Sequence, residues 1–214
     1  MAKHLRTLGG VFVIALTLSQ TACVVESQHP LSDPETATFD ERLFGEWRQD
    51  DGDGNFVLYF IGKTDGEVDK APKGLLGVHT VRVNTKAKAV ASSGTPLYGF
   101  SSKIGSSDFL NLLELKKAND QPLTWESKEA KKYLPMKYAV EPNRLTVWNL
   151  DLEATAKEVE GGKLAGKVNR GMNKMIQSVF LTDSTEKLRG YFEKGGNKTL
   201  FNDKNKLVLE RVKW

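Results

Sequence analysis

Leu43-Phe44-Gly45-Glu46-Trp47, directly behind Asp40-Glu41-Arg42, marks the point where the pattern of the chain changes. Upstream lie an apolar leader and a polar stretch broken by prolines. Downstream, short runs of β-branched and aromatic residues alternate with turn formers. A Gly two residues before a Trp suits the opening strand of an antiparallel barrel. Gly45 lets another backbone or side chain approach closely where the strand bends. Trp47 offers one large flat side chain to plug a barrel floor.

Working forward from Trp47, residues 44–48 predict a first strand and 56–61 a second, joined by the turn-rich tip Asp50-Asp51-Gly52-Asp53-Gly54. Residues 75–83 alternate, 97–100 read as a short strand and 109–115 as another. The charged stretch 126–132 predicts a brief helix. Segments 133–140 and 145–150 pair across Glu141-Pro142-Asn143-Arg144, with Pro early in the turn and Asn after it. Asp151 caps a short helix that Gly161-Gly162 ends. Two shorter strands follow at 163–168 and 178–182. Asp183 or Ser184 then caps a helix carrying Leu188, Tyr191 and Phe192, ended by Gly195-Gly196, and 207–212 closes the chain as a strand.

With the two shorter candidates set aside, about eight strands are joined mostly by short turns, without the strand–helix alternation of a parallel sheet. A meander that closes on itself removes exposed edges. The fold class expected is therefore mainly β: an antiparallel barrel or half-barrel with one or two short helices late in the chain.

Working back from Leu43, residues 1–22 have the form of a secretory signal. Lys3, His4 and Arg6 make a basic start, a short apolar run follows, and Thr21-Ala22 precede Cys23. The apolar run is too short to span a bilayer. Residues 23–39 read as a flexible tether, extended by Pro30 and Pro34, and dispensable for folding. Residues 40–214 read as a single β-rich domain. The 214-residue chain is 39% hydrophobic, enough for one sizeable core. Its formal charge is +4, and losing Lys3 and Arg6 with the signal leaves +2, with Lys and Glu interspersed. That describes a solvated surface and gives nucleic-acid binding no support.

The leader resembles a bacterial lipoprotein signal, which implies cleavage before Cys23 and lipid attachment to it. Cys23 is the only cysteine, so it has no disulfide partner within the chain. The alternative is a soluble exported protein with an unpaired thiol, a liability in an oxidising compartment. Several acyl chains, at about 0.8 kcal/mol per buried methylene, would hold the protein firmly on a membrane. Pro30-Leu31-Ser32-Asp33-Pro34 followed by residues 40–47 resembles the start of small bacterial lipoproteins of uncharacterised function. The combination of Gly45, Trp47 and Arg211 resembles the lipocalin pattern, in which a C-terminal Arg packs over the Trp of the first strand. The resemblance implies a lipocalin-like barrel.

No set of residues points to catalysis, a cofactor or a metal. His29 and His79 are the only histidines after the leader, and they are far apart in sequence. Asp51-Gly52-Asp53-Gly54-Asn55 alternates carboxylates as calcium loops do, but Phe56 stands where such a loop needs Gly and Gly62 where it needs Glu. Loop serines such as Ser92 and Ser101 lack a nucleophile elbow. Tyr59, His79 and Trp148 are the candidate lining of a barrel cavity, against the plainer reading that strand aromatics fill the core.

The expectation is a membrane-anchored lipoprotein of the cell envelope, facing periplasm or exterior, that works without catalysis. It holds a small hydrophobic ligand in the barrel or, alternatively, is a packed barrel contacting another envelope protein. Small side chains inside favour the first reading, and large aromatics inside favour the second.

Overall fold

The structure, a computed structural model, describes residues 24–213 except 53, 65, 67, 93–94, 116–122 and 126–131. The expected signal at 1–22, Cys23 and most of the expected helix at 126–132 lie outside the described residues.

Eight antiparallel strands close into a barrel. With strands numbered in chain order, they are β2 (Gly45–Gly52), β3 (Asn55–Lys63), β4 (Leu76–Asn84), β6 (Leu97–Ile104), β7 (Ser107–Glu114), β8 (Tyr133–Glu141), β9 (Arg144–Asn149) and β12 (Lys206–Arg211). They follow one another round the ring in that order, and β12 pairs with β2 to close it. Local chemistry makes the turns. Pro142 and Asn143 join β8 to β9, and Gly105 takes φ 58° in the two-residue turn between β6 and β7.

Strict alternation points one set of side chains inward. Val57, Tyr59 and Ile61 on β3, Leu76 and Val78 on β4, Leu110 and Leu112 on β7, and Leu134, Met136 and Tyr138 on β8 form the barrel core. Leu43, Trp47, Leu97, Leu145 and Leu209 complete it.

The other faces of β6, β7 and β8 are buried too. Phe109 packs outward against Phe192 and Phe201, with ring centroids 5.7 and 5.6 Å away. Phe100 and Leu113 face a third cluster containing Trp125 and Tyr133. Burial on both sides explains the nearly unbroken apolar run Phe109-Leu110-Asn111-Leu112-Leu113.

Much of this outer cover is an insertion between β9 and β12. It comprises α1 (Leu152–Glu160), β10 (Gly166–Arg170), β11 (Ile176–Leu181), α2 (Thr185–Tyr191) and α3 (Asn197–Leu200). Asp151 caps α1 by accepting from the Ala154 amide at 2.8 Å, and Ser184 caps α2. Gly195 at φ 104° turns the chain between α2 and α3. A further short strand, β5 (Ala89–Ser92), pairs with β4 outside the ring and is exposed throughout.

The segment expected to be a tether is packed instead. Val24–Ser27 forms β1, which runs parallel to β11 with Val24 opposite Ser178, and its Ser27 pairs with Tyr133 of β8. The barrel is thereby joined to β11 and β10 in one continuous sheet. Leu31 is 0% exposed. Its amide donates at 2.7 Å to Oδ1 of the fully buried Asn111, whose Nδ2 donates to Ser102 Oγ at 2.7 Å. Val25, Pro30, Leu31 and Ala37 are buried in this segment, and the core partners of Val25, Leu31 and Ala37 lie far along the chain.

These contacts make residues 24–37 part of the fold. Leu31→Ala is expected to lower stability by about 2–5 kcal/mol, the range for deleting a fully buried leucine. Asn111→Ala is expected to lower it by about 1–3 kcal/mol, because the buried Leu31 amide loses its acceptor. Urea unfolding of each variant beside the wild type measures both. A near-neutral Leu31→Ala would show that the segment is only laid on the surface.

Candidate functional site

One end of the barrel is sealed by side chains that the first and last barrel strands bring together. Trp47 is 0% exposed, and its Nε1 donates to the Leu43 carbonyl at 2.7 Å. The Arg211 guanidinium lies over the indole, 4.1 Å from the ring centroid. Its Nη1 donates to the Phe44 carbonyl at 2.8 Å, Nη2 to that of Arg42 at 2.8 Å, and Nε to that of Pro142 at 3.2 Å. Gly45 takes φ 121°, and a Cβ there would come within 2.8 Å of Arg211 Nη1. Glycine thus serves twice at this point: for its backbone angle and for the space the guanidinium occupies.

Beside the stack lies a second set of groups, absent from the sequence reading. Arg42 Nη2 donates to Asp40 Oδ2 at 2.7 Å and to Asp108 Oδ2 at 2.8 Å, and the Tyr138 hydroxyl donates to Asp40 Oδ2 at 2.7 Å. Burial raises the Asp40 pKa, but the bonds from Arg42 and Tyr138 outweigh it and hold the carboxyl below its ordinary value. Burial, then the bond to Asp40, push the Tyr138 hydroxyl up. The close spacing of Asp40 and Arg42 was a signal available in the sequence. Asp108 and Tyr138 carried none, being 66 residues from Arg42 and 98 from Asp40 respectively.

The inward-facing row changes character toward the opposite end of β2 and β3. The Tyr59 hydroxyl donates to Gln49 Oε1 at 2.9 Å, and burial pushes its pKa up to about 12, with the charge of Arg82 opposing. Asn55 Oδ1 and Asp51 Oδ1, the latter at a bulge in β2, are buried without a hydrogen-bond partner among the described residues. This end is polar, whereas the middle of the barrel holds Trp47, Tyr59, Met136 and Tyr138 among leucines and valines.

The three candidate cavity residues do not meet. Tyr59 is inside. His79 lies on β4 between Val78, which faces the core, and Thr80, and is exposed on the other face. Trp148 also points outward, packing on the insertion while its Nε1 donates to Asp203 Oδ1 at 3.0 Å. Cys23 lies outside the described residues. Among the described residues, no group of three or more His, Cys, Asp or Glu is arranged to hold a metal, and no helix is long and apolar enough to cross a membrane. Compared with known proteins, the chain matches no family model, no curated protein and no solved structure.

Trp47→Ala is expected to destabilise by about 3–5 kcal/mol, since it empties a fully buried site. Arg211→Ala should cost less, roughly 1–3 kcal/mol, by removing the stack and leaving carbonyls without their charged donor. Arg211→Lys should recover little, because an ammonium cannot reproduce the planar fork. Urea midpoints of the three variants test this, and full rescue by Lys would reduce the role of Arg211 to charge alone.

Asp40 also makes stability depend on pH. Its folded pKa lies below the ordinary 3.8, so its contribution is complete above that value and is lost as pH falls through the folded pKa. Asp40→Asn should be less stable at neutral pH and show a shallower loss of stability in acid than the wild type. Parallel acid profiles for the two proteins would remove Asp40 from the account.

Proposed function

We propose that this protein is a non-catalytic interaction module of the cell envelope, held on a membrane by lipid at Cys23 and presenting a packed β-barrel to another envelope protein. The observation that carries this reading is the content of the barrel. Its interior is occupied by Trp47, Tyr59, Met136 and Tyr138 packed with leucines and valines. A ligand carrier of this size needs a concave apolar space with few polar groups. Here the polar end carries Gln49 hydrogen-bonded to Tyr59, with Asp51 and Asn55 nearby. His79 and Trp148 face outward. The outer surface is then where recognition takes place.

The form of residues 1–23 supports the anchor. Val24, directly after Cys23, already belongs to the sheet. Lipid on Cys23 would therefore hold the barrel close to the bilayer.

Two measurements test the proposal. A fatty-acid analogue fed to cells should label the wild type and leave Cys23→Ala unlabelled; equal labelling would remove the anchor. Apolar fluorescent probes and long-chain fatty acids should show no saturable site and leave the melting temperature unchanged. A ligand at 100 times its dissociation constant would stabilise by about 2.7 kcal/mol and raise the melting temperature by roughly 5–10 °C. A shift of that size would restore the ligand-binding reading.

A further inference from the structure

The hairpin joining β10 to β11 ends in two exposed methionines. Met172 is 108% exposed and Met175 is 63% exposed, whereas Met136 is buried in the barrel. The loop that presents them is braced. Gly171 N donates to the Met175 carbonyl and Lys174 N to the Gly171 carbonyl, each at 2.9 Å, and Arg170 Nη1 donates to the Lys174 carbonyl at 2.9 Å. Asn173 Nδ2 also donates to Met175 Sδ at 2.9 Å, so the loop is ordered by local bonds while most of both methionine side chains stays in water, where large apolar groups gain nothing.

The charge carried by the hairpin itself has one sign. Residues 166–181 contain Lys167, Arg170 and Lys174 and no Asp or Glu. Arg170 is paired with Glu160 of α1 at 2.8 Å, while Lys167 and Lys174 have no ion-pair partner among the described residues. Apolar tips flanked by lysines suit an interface of hydrocarbon beneath anionic headgroups.

Position adds a third, independent argument. β1 and β11 are parallel with Val24 opposite Ser178, so the start of β1 and the hairpin tip lie at the same end of these strands. Met175 is three residues before Ser178, about 10 Å beyond the level of Val24 at the rise of an extended strand. Val24 follows Cys23, so the proposed lipid and the methionines would address one surface.

We propose that residues 171–176 form a second membrane contact, with Met172 and Met175 entering the interfacial layer of an anionic bilayer while Lys167 and Lys174 meet its phosphates. The inference rests on the anchor at Cys23 for its orientation. Two side chains hold a bilayer weakly by themselves, but a tethered tip acts at high effective concentration. The contact fixes the tilt of the barrel and so selects which outer face is offered to a partner.

The test uses the full chain produced in cells and reconstituted into phosphatidylethanolamine–phosphatidylglycerol vesicles. An environment-sensitive dye is attached through Met172→Cys or, as a control, through Val90→Cys, which is 70% exposed on the remote strand β5. Both sites are exposed, so neither change disturbs the core. Spin-labelled lipid is expected to quench the dye at position 172 several-fold more than at position 90, with a blue shift at 172 only. Replacing phosphatidylglycerol by phosphatidylcholine should reduce that difference. The mass of the N-terminal peptide reads the anchor separately. If the chain is acylated and the dye at 172 stays in water, or both positions are quenched equally, the tip contact is overturned and the anchor stands. If the chain is not acylated but 172 is still shielded, the tip binds lipid unaided and the anchor falls. If it is neither acylated nor shielded, both are overturned. A dye at 172 shielded only when a second protein is added also overturns the proposal, in favour of a protein partner.

Discussion

The barrel closes through a narrow seam. β12 and β2 pair at Glu210 with Arg48 and at Arg211 with Trp47, and one further bond runs from Val212 N to the Glu46 carbonyl at 2.9 Å. A ladder that short leaves the first and last strands weakly joined by backbone alone. Arg211 makes up the difference. Its guanidinium covers the indole and donates to carbonyls of Arg42, Phe44 and Pro142, so it ties the start of the first barrel strand and the β8–β9 turn to the end of the last. Delocalised charge stacks on a ring more readily than a compact ammonium does, and a planar fork serves several acceptors at once. The seam also joins residues at opposite ends of the domain, a loop closure whose entropic cost non-local contacts must offset.

A closed eight-strand barrel has no free edge, yet this one is extended. β1 adds to β8 near Tyr133, beyond the last residue of β9, and so β11 and β10 continue the sheet outside the ring. The extension folds back over the outer faces of β6 and β7, where Ile104 and Phe109 enter a second core. Phe109, Phe192 and Phe201 meet there, while Asn111 satisfies the Leu31 amide in a place water does not reach. The outer core binds the N-terminal segment and the late insertion to the barrel as one body. It also leaves the β10–β11 hairpin projecting with its methionines uncovered.

Large side chains occupy the middle of the barrel, and charged groups gather at its sealed end. The charged cluster at the sealed end is largely satisfied internally: Arg42 with Asp40 and Asp108, and Tyr138 with Asp40. Its groups brace the floor and offer little to a ligand. The exposed hairpin tip and the start of β1 lie at the same end of their strands and are the parts of the surface that composition and geometry mark together.

The sequence by itself determined the class of fold and much of its punctuation. Alternation placed the barrel strands, Pro142-Asn143 marked a turn, and Asp151 and the Asp183-Ser184 pair marked helix starts, because these are local effects of steric freedom and side-chain hydrogen bonding. Gly45, Trp47 and Arg211 could be picked out because only residue type was needed. The tertiary structure alone decided that Val24–Ser27 is a strand, since four residues carry too little pattern and their stabilisation comes from β11, more than a hundred residues away. It decided that Trp148 faces the insertion and Tyr59 the barrel, because alternation defines two faces without saying which is inside. It decided, finally, where Met172 and Met175 stand: an isolated methionine suits a core as well as a surface, and only the fold shows these two left in water at the end where the chain's first strand starts.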